Sequence, residues 1–301
     1  MMKYMQYLDK QKGMKIIQIL YNAFYHTESG LFGIHNDETI LTPKNMKVGS
    51  EDHLRWITLL SALDYSRDAD RLWKAGSEAC QDKDKKWIFD PFDNRIENYE
   101  LLKKELMTPV EGSSLKIAQR NDNDTKAWQT ISRSIKKILR GSIKEYIKKE
   151  CSNDAIILYF NIGMKFKDYF PYLSGPKILA MWIRLINKYA RISLKNTNSI
   201  PLPVDVHVAR STIYLCGRGK HTFSIEEIRK DINLFWEEIA QDLKLEKLDF
   251  DELLFFQSKE GCKYLNSSKN KCEECLVKKY CIAREKKAKV SPGAKGVIIN
   301  E

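Results

Sequence analysis

A chain of 301 residues, 43% hydrophobic and 30% charged, is long enough to bury a sizeable core as one large or two modest domains. No apolar run approaches the roughly 18–20 residues that span a bilayer. The first fifteen residues carry scattered charges and no small-residue cleavage site, so neither a membrane span nor a signal peptide is expected and the expected location is the cytoplasm. The net charge of +11 points to a polyanionic partner, nucleic acid before membrane, because the sequence offers no strongly amphipathic terminal helix with exposed aromatics, and the charge is concentrated in patches. Residues 131–150 hold seven Lys/Arg against two Glu, and residues 259–301 hold eleven against five.

In chain order, residues 3–26 predict a helix, with Ile16, Ile17, Leu20, Tyr21 and Phe24 recurring near a 3.6 period. An irregular connection with Gly30, Gly33 and Pro43 follows. Ser50 then caps a largely buried helix through Leu63, and a second helix runs over 69–80. Leu101, Leu102 and Leu106 mark one amphipathic helix before Pro109. Two helices are expected over 124–131 and 131–150, the latter with an apolar stripe of Ile135, Ile138, Leu139, Ile143, Tyr146 and Ile147. The lysines opposite that stripe fit a solvated face or a phosphate-binding one.

Helices are further expected over 154–170, over 176–189 with Pro176 at its first position, over 204–215 behind Asp205 as a cap, and over 224–243 behind a Ser224/Glu227 capping box. Residues 190–200 read as a polar loop, 250–256 lead into a cysteine cluster, and residues from 287 onward read as a basic, flexible tail. There is no βαβ alternation and no internal repeat. The expectation is an all-α chain.

Cys80, Cys151 and Cys216 are isolated and read as buried small hydrophobes. The other four cysteines form one pattern, Cys262-x9-Cys272-x2-Cys275-x5-Cys281. Four thiolates hold either a tetrahedral zinc or a [4Fe–4S] cluster. Structural zinc usually pairs two short Cys-x2-4-Cys knuckles and only one is present, which favours iron–sulfur with zinc as the alternative.

The cluster resembles the C-terminal iron–sulfur loop of the endonuclease III family of DNA glycosylases, Cys-x6-Cys-x2-Cys-x5-Cys. The last two spacings match and the first is three residues longer. In that family the first loop faces the DNA backbone, which implies DNA contacts for Lys263, Lys269 and Lys271. The segment Leu173-Ser174-Gly175-Pro176-Lys177 is similar to the helix–hairpin–helix turn, Leu-Pro-Gly-x-Gly-x-Lys. Gly175 and Lys177 match, while Leu173 stands where the first glycine belongs. The glycine-rich turn would offer backbone N–H groups to a phosphate. Pro203-Val204-Asp205-Val206-His207 resembles the Val-Asp-x-His segment of the superfamily's essential aspartate. Leu59-Leu60-Ser61-Ala62-Leu63 resembles Leu-Leu-Ser-Ala-Gln, with Leu63 in place of the glutamine that helps fill the gap in the duplex. The long interval from Lys177 to Asp205 is closer to archaeal 8-oxoguanine glycosylases, which lack the cluster.

The resemblance covers roughly residues 50–284. It implies a two-lobed helix–hairpin–helix glycosylase fold: a helical barrel lobe over 50–193, a cluster lobe from 1–49 plus 194–286, and DNA in the cleft between them. It implies a DNA N-glycosylase with AP lyase activity, acting as a monomer on double-stranded DNA and located at the nucleoid. Lys177 would be the nucleophile at C1′ of a flipped nucleotide, and Asp205 the carboxylate that stabilises the sugar cation or deprotonates the lysine. The plainer roles are a phosphate-binding lysine and a helix cap. His207 is expected to be structural. Trp73, Trp182, Phe255 and Phe256 are candidates for a base-stacking platform. The alternative is a DNA-binding protein on the same fold without chemistry.

Overall fold

The computed structural model describes residues 4–34, 42–65, 67–265, 267–285, 288–290 and 297–300. Among these are eleven α-helices: α1 (Lys10–His26), α2 (Glu51–Leu63), α3 (Ala69–Gln81), α4 (Tyr99–Met107), α5 (Asn121–Lys137), α6 (Ile143–Lys149), α7 (Ala155–Phe160), α8 (Pro176–Lys188), α9 (Val206–Cys216), α10 (Ile225–Leu243) and α11 (Asp249–Phe256). Three short strands, β1 (Lys220–Phe223), β2 (Ala288–Val290) and β3 (Val297–Asn300), complete the set. The protein is mostly helical. Among the described residues no helix is long and apolar enough to cross a membrane.

The chain divides into a discontinuous unit, Met1–Asp37 with Pro201–Glu301, and a continuous one, Glu38–Ile200. Residues 42–49 and 194–200, expected with the discontinuous lobe, therefore fall in the continuous unit. Local bonds tie them there: the Gly49 amide donates to His53 Nδ1 at 3.2 Å, and the Leu194 amide to Asn187 Oδ1 at 3.0 Å.

In the continuous unit α2 is the centre, packed against α3, α5, α6 and α8. Every residue from His53 to Leu63 except Arg55 is buried, the pattern of a helix covered on all sides. Ser50 caps it by accepting from the His53 amide. Its tryptophan neighbours keep their polar ends paired: Trp56 Nε1 donates to Gly76 O at 3.1 Å and Trp182 Nε1 to Thr58 Oγ1 at 2.9 Å. Gly49 takes φ +70°, and a Cβ there would sit 2.7 Å from Ala190 O. Gly49→Ala combines a strained backbone with a clash against a carbonyl and is expected to lower stability by about 2 kcal/mol or more, read as a fall in the urea midpoint without a change in slope.

The expected division at Ile131 does not occur. Helix α5 runs unbroken through Lys137, and the break comes at Arg140 (φ +53°) and Gly141 (φ +82°). The Gly141 amide returns to Ile135 O at 2.9 Å, the closing bond of a left-handed helix end. Helix α6 then starts afresh, capped by Ser142 and by Glu51 of α2, which accepts from the Ile143 and Lys144 amides at 2.9 and 3.0 Å. The apolar stripe persists across the turn because both helices cover the same core, which is why periodicity alone missed the break.

In the discontinuous unit α1, α9, α10 and α11 enclose one core built from Ile16, Leu20, Val208, Ile232, Trp236 and Phe250 among others. Helix α1 begins at Lys10, not near residue 3, because Asp9 caps it by accepting from the Lys12 amide at 2.9 Å. The Ser224/Glu227 capping box of α10 is formed. The segment from 287 onward, expected as a flexible tail, instead contributes β2 and β3, which form an antiparallel sheet in the order β1-β3-β2 with Lys220 opposite Asn300 and Ala288 opposite Ile299. Residues 286–287, 291–296 and 301 lie outside the described residues. The β-branched run Val297-Ile298-Ile299 supplies the strand preference that the lysines around it obscured.

Candidate functional site

The residues singled out by sequence fall on both units. In the discontinuous unit α11 passes into a π-turn, Gln257–Gly261, and then a 3-10 turn, Cys262–Tyr264. All four clustered cysteines line one small cavity, walled also by Tyr214 and Leu215 of α9 and by Gln257. Gln257 is 1% exposed, and its Nε2 donates to Cys275 Sγ at 3.3 Å and towards Cys262 Sγ at 3.7 Å. Burial pushes the thiol of Cys262 up, and repulsion from Cys281 and Cys275 adds to the effect. The same cause, burial first, raises Cys272 and Cys281. Among the described residues no group of three or more His, Cys, Asp and Glu is placed to hold a metal ion. The four cysteines line one cavity, and four thiolates are a donor set for either a tetrahedral zinc or a [4Fe–4S] cluster. The isolated Cys80, Cys151 and Cys216 are buried.

Lys263 and Lys269 are exposed on the loop between the first two cysteines, whereas Lys271 is half-buried and lines the cysteine cavity, with Nζ 6.0 Å from the Phe32 ring. Lys271 therefore faces inward rather than sharing a surface with the other two. Its place two residues after the Lys269 position turns it with the chain as it enters Cys272.

Asp205 is the N-cap of α9. Its Oδ1 accepts from the His207 and Val208 amides at 2.8 and 3.0 Å, and buried Leu202 and Val204 anchor the proline-rich approach. The His207 ring pairs through Nδ1 with Ser258 Oγ at 3.2 Å and packs 5.0 Å from Phe255. Arg210 Nη1 donates to the same hydroxyl at 3.0 Å.

In the continuous unit Lys177 is exposed at the second position of α8, directly after Pro176. The hairpin before it differs from its sequence reading. The left-handed residue is Tyr172 (φ +61°), while Gly175 has φ −65° and Leu173 is fully buried. The Gly175 amide donates to Tyr172 O at 3.1 Å, and Gly175 O accepts from the Leu179 amide at 2.8 Å. Its amide is thus committed inside the turn, and the glycine serves a close approach, since a Cβ would lie 3.2 Å from Tyr172 O. The expected backbone contact of Gly175 with DNA is not supported by this geometry.

Sequence reasoning passed over Asp64 and Tyr65, which follow the Leu59–Leu63 segment at the end of α2. Leu63 is buried and cannot leave the core to enter a duplex. Tyr65 is 49% exposed, stacks on Tyr172 of the hairpin with centroids 6.2 Å apart, and has the Arg120 guanidinium 5.3 Å from its ring. Asp64 Oδ2 accepts from Trp73 Nε1 at 3.0 Å. The available signal was a polar pair closing an otherwise apolar helix. Among the other aromatic candidates, Trp182 is core, Trp73 is held by Asp64, and Phe256 stacks on Phe24 at 5.7 Å.

Burial raises the Asp64 carboxyl above its ordinary 3.8, against the bond from Trp73 and the charges of Lys177 and Arg67, which lower it. A carboxyl whose folded pKa lies above its unfolded one costs stability as pH rises through that interval, and the loss persists above it. Asp64→Asn keeps an acceptor for Trp73, so it is expected to raise the urea midpoint at pH 7 and leave it unchanged below about pH 3, where both forms are neutral.

A larger cavity of about 370 Å³ lies beyond the far end of α8, lined by Gly49, Lys144, Lys148, Asn153 and Arg191 among others. It collects three cations, Lys144, Lys148 and Arg191. Of the sequence readings it touches the basic 131–150 segment, through Lys144 and Lys148. Comparison of the chain with protein-family models, with curated proteins and with solved structures gave no match.

Proposed function

We propose that the chain is a DNA glycosylase with AP lyase activity that removes a damaged base, an oxidised one such as 8-oxoguanine, from double-stranded DNA, and that it carries a [4Fe–4S] cluster on Cys262, Cys272, Cys275 and Cys281. The observation that carries the reading is the convergence of those four cysteines on one cavity walled by α9, the helix that Asp205 caps. When bound, the cluster would crosslink four points of a loop that has little regular structure of its own. The exposed position of Lys177 after a hairpin turn, beside a surface aromatic pair, adds support.

In this reading the Lys177 amine attacks C1′ of a flipped nucleotide, the C1′–N bond breaks, and the base departs with its electron pair and takes a proton. Loss of a proton from the lysine nitrogen leaves an aminal; the C1′–O4′ bond then breaks, O4′ takes a proton and the protonated Schiff base forms, and loss of a C2′ proton expels the 3′ phosphate by β-elimination, breaking the 3′ C–O bond. Asp205 bears the negative charge that stabilises the cationic sugar or receives the lysine proton. Tyr65, not Leu63, has the exposure to stack within the strand from which the base is taken. Lys263 and Lys269 supply phosphate contacts, and the chain acts as a monomer at the nucleoid.

The test is a base-release screen against 8-oxoguanine, oxidised pyrimidines, uracil and adenine mispairs, with borohydride trapping on the substrate that responds. Release of no base from any of them overturns the reading. Two observations leave room for a second reading, a lesion- or structure-specific DNA binder without chemistry: the Gly175 amide is used inside the hairpin, and Leu63 is buried. That reading expects salt-sensitive binding, unchanged in Asp205→Asn.

A further inference from the structure

We propose that Gln257 and Ser258, neighbours in the π-turn after α11, couple the cysteine centre to the helix that Asp205 caps, Gln257 by donating amide hydrogens to two ligating sulfurs and Ser258 by anchoring His207 and Arg210. The proposal rests on the reading of the four cysteines as cluster ligands. Both residues are buried, at 1% and 0% exposure. Successive residues of a helical turn point roughly 100° apart, so adjacent side chains serve different neighbours. One reaches Cys275 Sγ at 3.3 Å and Cys262 Sγ at 3.7 Å. The other meets His207 Nδ1 at 3.2 Å and Arg210 Nη1 at 3.0 Å.

The local backbone fits a built device. A π-turn is a rare departure from α geometry, found frequently at functional sites. Here it ends at Gly261, immediately before Cys262. A Cβ on Gly261 would lie 2.5 Å from the Phe32 ring and 3.4 Å from Gln257 Nε2, so the turn is packed closely on the amide. An amide donor aimed at a thiol gains strength when the sulfur becomes a metal-bound thiolate, because the acceptor then carries charge. Binding of the cluster would therefore tighten the turn. On the other face, Ser258 holds side chains two and five residues beyond Asp205, within the first two turns of α9. The amides of His207 and Val208, which bond the Asp205 carboxylate, lie inside that clamped stretch. Gln257 and Ser258 are positioning residues: neither is assigned contact with DNA.

The experiment uses the full chain purified without oxygen, as wild type, Gln257→Met (similar length, no donor), Ser258→Ala and Ser258→Thr (hydroxyl kept). Three properties are measured: visible absorption at about 400 nm, where cysteine-ligated clusters absorb, with its rate of loss in air; the midpoint potential; and amide hydrogen exchange at His207 and Val208. Gln257→Met is expected to lose the band several-fold faster and to have a more negative potential, since hydrogen bonds to sulfur favour the reduced cluster. Ser258→Ala is expected to keep the band while exchange at His207 and Val208 becomes several-fold faster, and Ser258→Thr to restore slow exchange. A Gln257→Met protein with wild-type band lifetime and potential overturns the proposal, as does unchanged exchange in Ser258→Ala. If Gln257→Met does not fold, Gln257→Glu, which also lacks the donor when ionised, carries the same expectation. Absence of the band from the wild type defeats the cluster reading itself, whereas a wild-type band with indifferent variants defeats the coupling alone.

Discussion

Lys177→Ala is expected to abolish borohydride trapping on substrate DNA, and Asp205→Asn to lower base release by about 10²- to 10⁴-fold, the range for loss of a positioned acid–base or charge-stabilising group. The Asp205 substitution is informative because two roles coincide in that residue. As an N-cap its Oδ1 accepts two amide hydrogens, and asparagine caps about as well as aspartate. Asp205→Asn therefore removes the charge and keeps the helix. Asp205→Ala removes both and should cost about 1 kcal/mol of stability in addition. Single-turnover base release and thermal melting, measured on both variants, separate the roles. A slow, fully stable Asp205→Asn supports a carboxylate that acts on the sugar. Wild-type turnover in Asp205→Asn, with destabilisation only in Asp205→Ala, reduces Asp205 to a cap. Trapping that persists in Lys177→Ala assigns the nucleophile elsewhere.

Replacement of one cluster cysteine, Cys275→Ser, is expected to eliminate the visible band and lower the melting temperature by about 10 °C. The magnitude follows from linkage: a group bound at a thousand times its dissociation constant contributes about 4 kcal/mol, and in a domain of this size each kcal/mol shifts the midpoint by roughly 2–4 °C. The loss should concentrate between Gln257 and Arg284, where the chain is built from isolated turns with few main-chain bonds of longer range. Faster hydrogen exchange across that stretch, with α2 and α5 unaffected, is the accompanying result. A Cys275→Ser protein that retains the band and melts like the wild type is incompatible with ligation by that residue.

Local signals served well wherever they act alone. Ser50, Asp205 and the Ser224/Glu227 pair start their helices as expected, because a cap satisfies its own first-turn amides and needs no distant partner. The buried face of α2, the buried lone cysteines and the grouping of four cysteines were readable for a related reason: side-chain type and spacing suffice to state them. The hairpin was readable only in outline. Sequence located a turn before Lys177, but Tyr172 takes the left-handed conformation and Gly175 spends its amide inside the turn. Tyr172 lies one residue before the Leu173–Lys177 stretch, and which residue of a turn takes positive φ depends on packing that local sequence does not encode.

Composition, periodicity and spacing are properties of order along the chain, and they were enough to read a mostly helical protein with four grouped cysteines and a positive net charge. Tertiary structure decided what those residues face. It broke the expected 131–150 helix at Arg140 and Gly141, where a left-handed turn keeps the core face but ends the helix. It paired residues 297–300 with 220–223, a contact across some eighty residues that periodicity does not encode. It turned Lys271 towards the cysteines, brought Tyr65 beside Tyr172, and aimed Gln257 and Ser258 in two directions from one turn. Each of these depends on which surfaces exclude water together, and that is settled only when the whole chain packs.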